Sequence, residues 1–191
     1  MNYLAHALLA EPYEHSLIGN ISGDLIKGPL ARHELHPRVA QGVRRHRAID
    51  ALTDSHPVHH EMRALFPGAH RRTSGIVLDV LFDHFLCAHW QSFCSWKLED
   101  FTAGVYAALR RPEAPLPEPL AQRLDGWVSA DWLRVCETRD GLDAVLRRLE
   151  KRLRGAIPLS QSLDAMDHEW GRLEQGFHEV FGSIQLQTQR M

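Results

Sequence analysis

Residues 75–90 read GIVLDVLFDHFLCAHW, an almost wholly apolar stretch that nevertheless holds Asp79, Asp83, His84 and His89. A solvated helix has one polar face, and this segment has apolar neighbours on nearly every side, so it belongs inside the fold. Ionised carboxylates are costly to bury without compensation. Whatever this chain folds into must therefore compensate the charge of Asp79 and Asp83. The two are four residues apart and share one helical face, whereas His84 lies about 100° further round.

The remaining pattern is also helical, with no convincing alternation of period two. Helices are expected over 2–10, 16–27, from Pro37 through Asp54, from Pro57 to the PhePro at 66–67, over 73–96 and over 98–110. Pro12 and Gly28-Pro29 act as breaks, and Pro37 and Pro57 as first-turn residues. Four prolines within RRPEAPLPEP (110–119) make that segment a linker. Helices over 120–136, 142–154 and 159–181 complete the chain. The last of these carries Leu163, Met166, Trp170, Leu173, Phe177, Val180 and Phe181 at helical spacing. This predicts an all-α, single-domain helical bundle of seven to nine helices. Residues 1–96 hold the polar motifs and 120–191 form a packing region. A chain of 191 residues suits one domain.

A net charge of −2 and a sequence pI near 6.7 argue against a nucleic-acid binder driven by bulk charge. No apolar run reaches the roughly 18 residues of a membrane span, and MNYLAHALLAEPYEH lacks the basic start of a signal peptide. Three cysteines without a CxxC fit reduced thiols in a cytoplasm. Histidine is the anomaly: of 13 in the chain, nine fall in residues 1–75, which is where chemistry is expected.

His46 and Asp50 are spaced to share a helix face, and Asp54 is another turn on. Asp24 lies in GNISGDLIKG, and His6 in the first helix. A mixed imidazole and carboxylate set suits a hard or borderline divalent ion such as Mn²⁺, Mg²⁺, Fe²⁺ or Zn²⁺. The lack of paired cysteines speaks against structural zinc. A metal would supply the charge that makes buried carboxylates tolerable. The plainer reading of HRAID is a helix-surface pair worth about 0.2–0.5 kcal/mol. That reading suits LDVLFDHFL less well, since its surroundings are apolar, and both readings stay open there. Asp24 could simply serve the turn after Gly23. His56, His59 and His60 follow a proline turn and read as solvent-exposed, while His89, His168 and His178 read as structural.

The ordered array NYLAHA (2–7), GNISGDLIKG (19–28), GVRRHRAIDALTDSHP (42–57), RRTSGIVLDVLFDHFL (71–86) and Trp90 resembles the acyl carrier protein phosphodiesterase, or acyl carrier protein hydrolase, family. The likeness is close over the first 90 residues and weaker beyond. Ser22-Gly23 replaces a usual small apolar pair, and Tyr3 a usual phenylalanine. That family is similar to the HD phosphohydrolases, so the resemblance implies an HD-domain-like fold and a divalent metal, manganese being the one associated with it. The implied reaction is hydrolysis of the phosphodiester joining 4′-phosphopantetheine to a serine of holo-acyl carrier protein. On this reading Asp24, His46, Asp50, Asp83 and His84 are expected metal ligands. Asp79 and Asp54 would orient ligands or the attacking water. His6 would be a ligand or the proton donor to the departing serine oxygen, and Lys27 would contact the phosphate.

Carrier proteins of this kind are acidic, so the partner surface should be basic. Residues 1–75 contain nine Lys/Arg against seven Asp/Glu. Arg44, Arg45, Arg47, Arg71 and Arg72 are the expected contacts, although a run such as RRHR also reads as an ordinary solvated face. The basic run RRLEKRLRG (147–155) reads as a solvated helix face. Two other readings remain open: an HD-type metal phosphohydrolase acting on a nucleotide or other small phosphodiester, and a non-catalytic helical metal-binding protein. Neither nucleic acid nor membrane is expected as a partner.

Overall fold

Proline and histidine set the start of the two helices that frame the polar motifs. In the computed structural model, α3 (Pro37–Ser55) and α4 (Pro57–Leu65) each open with proline at the first helical position. Nδ1 of His36 accepts the Arg38 amide, and Nδ1 of His56 accepts the Val58 amide, both at 3.3 Å. Each pair satisfies one donor that a helix start otherwise leaves bare. The structure describes residues 1–153 and 158–191. The expected helix over 142–154 and the run 147–155 therefore end outside the described residues.

The other helices are α1 (Tyr3–Leu8), α2 (Glu14–Ser22), α5 (Ser74–Ala88), α6 (Leu98–Arg110), α7 (Glu118–Ser129), α8 (Arg139–Arg152), α9 (Gln161–Ala165) and α10 (Trp170–Thr188). The all-α expectation holds. There are ten α-helical segments among the described residues, eight of them nine residues or longer, and no strand among them. The expected 16–27 helix is shorter. It tightens into a 3₁₀ turn at Gly23–Leu25 and stops before Gly28, whose φ of +79° is easy only for glycine. The expected 73–96 helix ends at Ala88 and passes into a 3₁₀ turn at Trp90–Ser92. The 111–117 segment is not helical, and α7 starts directly after Pro117 with Pro119 in its first turn.

α5 runs through the middle, with Val77, Leu78, Leu81, Phe82, Phe85 and Leu86 all buried. Phe82 and Phe85 meet Phe177 of α10 at ring separations of 5.3 and 5.7 Å. Such pairs add about 0.5–1.5 kcal/mol beyond burial. α2 and α3 cross glycine to glycine: a Cβ on Gly42 would stand 2.7 Å from the Ser16 carbonyl oxygen and 2.9 Å from Gly19 Cα. That close approach lets α3 present its next turn to the end of α2. No described helix is long and apolar enough to cross a membrane.

Candidate functional site

The α2–α3 contact delivers His46 against the turn that carries Asp24. His46 is buried, and its ring lies over Gly23, where any side chain would collide with Cγ and Cδ2. Nδ1 donates to the Asn20 carbonyl oxygen at 2.8 Å, which fixes the tautomer and leaves Nε2 for the site. Nε2 stands 3.0 Å from Asp50 Oδ2 and 3.8 Å from Asp24 Oδ1. From α1, His6 stacks on His46 with ring centroids 3.8 Å apart and directs Nε2 at Asp50 Oδ1, 3.1 Å away. One ligand-type atom from each of His6, His46 and Asp50 falls within 4.8 Å of the other two.

The electrostatics are those of a site that attracts positive charge. Burial alone would lower the His46 pKa, yet bonding to Asp24 and Asp50 raises it to about 9. Burial would raise both carboxyls, but the His46 contact dominates. It holds Asp24 near 2 and Asp50 well below the usual carboxylate range. His6 responds mainly to burial and falls to about 4, and its Nδ1 is buried without a partner among the described residues. The charge on His46 Nε2 thus lies against Asp50 and faces Asp24, in the place where a divalent ion would be welcome. The donor set fits such an ion: two imidazoles and two carboxylates, with one imidazole locked from behind.

The two aspartates of α5 are compensated otherwise than by a shared metal. Asp83 is 2% exposed, and its two oxygens accept the Leu4 and Ala5 amides, each at 3.0 Å. It therefore caps α1, the favourable place for a carboxylate at a helix start. Burial, partly offset by those amides, lifts its pKa to about 7. Asp79 Oδ1 lies 3.0 Å from the fully buried Met1 ammonium, which also reaches Asp50 Oδ1 at 3.2 Å. Burial alone would lower the pKa of that ammonium, but its two carboxylates raise it to about 11. His84 leaves the site altogether: Nδ1 bonds the Cys136 carbonyl oxygen at 2.7 Å, and the ring packs edge-on to Trp170. Two corrections to the expected ligand set follow. Asp83 has both oxygens committed to backbone, and the 100° step from Asp83 turns His84 toward the opposite neighbours.

The family model described as acyl carrier protein phosphodiesterase matches residues 1–184. Among curated relatives, the acyl carrier protein phosphodiesterase of Serratia proteamaculans (strain 568) is 35% identical over 98% of this chain and 97% of that protein. That of Yersinia pestis is 31% identical, covering 99% and 98%. That of Salmonella paratyphi A is 31% identical, covering 100% and 98%. This chain belongs to the acyl carrier protein phosphodiesterase family. It is a phosphodiesterase. No solved structure matches the chain.

For a phosphodiesterase of this family the rim of the site matters as much as its floor. Lys27 is exposed, with Nζ 3.5 Å from Asp24 Oδ1, so its charge stands beside that carboxylate at the solvent edge. Arg44, Arg71 and Arg72 are exposed. Arg47 holds the loop after α2, donating to the Ile26 and Gly28 carbonyls at 2.9 and 2.8 Å, and its side is open to solvent. Arg45 departs from its expected docking role. It is half-buried and ties Leu9 to Thr188 by bonds of 2.9 and 2.7 Å to their carbonyl oxygens. His59, expected at the surface, is buried on α4. The spacing His59, Met62, Phe66 is helical, and Met62 and Phe66 are core residues, so this stripe was the signal that placed His59 inside.

Proposed function

We propose that this chain hydrolyses the phosphodiester joining 4′-phosphopantetheine to a serine of holo-acyl carrier protein, giving apo-carrier protein and free 4′-phosphopantetheine. We further propose that it does so with a divalent cation, Mn²⁺ in the first place. His46, Asp50 and Asp24 would hold that cation, with His6 beside it. The observation that carries this reading is the His46 imidazole, locked by Asn20 and aimed between two carboxylates, in a chain of this family.

Bound there, a divalent ion polarises a phosphoryl oxygen and makes water a better nucleophile at neutral pH. The chain's own groups supply the rest. Asp50 accepts from His6 and pairs with His46 and so fixes the two rings relative to each other. Water adds to phosphorus, the bond from phosphorus to the serine oxygen breaks, and that oxygen must gain a proton. His6 is the nearest imidazole not pinned by a backbone carbonyl, and it is the residue proposed to pass that proton. Lys27 adds positive charge for the phosphate at the exposed edge. Arg44 and Arg47 project from the same α3 that carries His46 and offer the acidic partner a surface beside the chemistry. The α5 aspartates act indirectly, by fixing α1 and with it His6.

The test is incubation of the purified protein with holo-carrier protein and Mn²⁺, read by mass spectrometry of the carrier. Loss of the phosphopantetheine mass, abolished by chelator and restored by Mn²⁺, is expected, with Asp50→Asn inactive. Full activity in chelator, or in Asp50→Asn, sinks the metal assignment. An intact carrier under all conditions sinks the substrate.

A further inference from the structure

Outside the cluster just described, a buried imidazole among the described residues has no assigned use. His59 is 1% exposed, and neither Nδ1 nor Nε2 has a hydrogen-bond partner among the described residues. A buried polar group left unpaired costs about 1–3 kcal/mol, so a position that only packs would be better served by leucine. The ring stands edge-on to Phe82 of α5 at 6.2 Å. Its Nδ1 lies 4.0 Å from Asp54 Oδ1, too far for a hydrogen bond. Asp54 is one turn beyond Asp50 on α3, and its side chain is 70% exposed, so a further ligand can arrive from solvent on the carboxylate side.

We propose that Asp54 and His59 form a second divalent-cation site, completed by water or by a phosphate oxygen of the substrate. A borderline divalent ion binds imidazole nitrogen and carboxylate oxygen at about 2.0–2.2 Å each, so the two donors can stand up to about 4.3 Å apart across it. The observed 4.0 Å falls within that span. Burial holds the His59 pKa near 4, which keeps the ring neutral and able to ligate at ordinary pH. The site stands on its own geometry. Only its use in phosphodiester hydrolysis rests on the function proposed above.

The experiment counts Mn²⁺ per chain by elemental analysis of the dialysed full-length protein, with melting temperatures recorded in chelator. Wild type is expected to hold two ions, and Asp54→Asn and His59→Leu one each. His59→Leu should melt no lower than wild type in chelator, because it replaces a bare buried imidazole with an apolar side chain. His46→Gln should lose the other ion. If Asp54→Asn and His59→Leu both keep the wild-type count, the second site is overturned, and His46→Gln alone then reports on the first. A wild type with no ion overturns both. Should His59→Leu fail to fold, the exposed Asp54→Asn decides.

Discussion

Replacing Gly42 with alanine should destabilise this protein, although glycine to alanine inside a helix ordinarily stabilises it. The ordinary gain is about 0.5–1 kcal/mol. Here the new Cβ would sit 2.7 Å from the Ser16 carbonyl oxygen and 2.9 Å from Gly19 Cα, where ordinary contact begins at 3.4 Å. Both obstacles are backbone, so α2 and α3 must part by the difference, about 0.7 Å by the overpacking argument. The Asn20–His46 hydrogen bond spans the same helix pair at 2.8 Å. Stretched by that amount it reaches about 3.5 Å and is lost as a hydrogen bond. Overpacking costs about 1–3 kcal/mol and the buried bond about 1 kcal/mol. The net loss is then about 1–3 kcal/mol once the helix-propensity gain is subtracted. For a chain of this size the melting temperature should fall by roughly 3–10 °C. Turnover should fall about 10–100-fold, because His46 is no longer held from behind. Gly104→Ala on α6 is the control: nothing lies within 4 Å of its Cβ, and it should gain about 0.4–1 kcal/mol. A Gly42→Ala variant that melts at or above wild type with unchanged turnover refutes the claim that this crossing sets the site.

Three further outcomes follow from the geometry. Asp83→Ala bares two buried amides at the start of α1, and chemical denaturation should show a loss of about 2–3 kcal/mol. Metal content should stay at the wild-type value, whereas a ligand role would lower it. His84→Phe should keep metal content and most activity while losing about 1 kcal/mol, the worth of its bond to the Cys136 carbonyl. In chelator, stability should depend on pH through His46, whose pKa is raised from 6.5 to about 9 on folding. Its contribution is complete below pH 6.5 and is lost as pH rises through 9, about 3 kcal/mol in all by proton linkage. The difference between wild type and His46→Gln, measured by urea unfolding from pH 6.5 to 9, isolates it. A difference that does not change with pH contradicts the bridging geometry.

The elements with a marked start or stop were legible in the sequence. α3 begins at Pro37, and α6 spans Leu98–Arg110 just as its periodicity indicates. The end of α5 was not, because Trp90 and Phe93 continue the apolar pattern after the helix has stopped at Ala88. Within the site, His46, Asp50 and His6 were legible from their types and spacing. The sequence also put Asp79 and Asp83 on one face, and both do turn to one neighbour, the start of α1. What it could not show is that the neighbour offers an ammonium and two amides, some 78 residues away along the chain. His59 was misread because the proline turn before it outweighed the His59–Met62–Phe66 stripe.

The fate of the acidic groups explains the division of labour. A carboxylate in an apolar helix must find positive charge or donors, and each oxygen so used is no longer free to meet a substrate or an ion. Both oxygens of Asp83 are used on α1, and Asp79 pairs with the ammonium at the same end of it. These groups build the frame that holds His6 in place. Asp24, Asp50 and Asp54 lie at the end of α2 and along α3, about a third or more exposed, and their partners are imidazoles, the solvent-exposed Lys27 and, for Asp50, the Met1 ammonium, rather than backbone amides. Imidazole can surrender its proton to a competing cation near neutral pH, and a backbone amide cannot. The chemistry should therefore be sought where carboxylate faces histidine, along the stripe of α3 from His46 to Asp54, and not on the more conspicuous aspartates of α5, whose oxygens serve the start of α1.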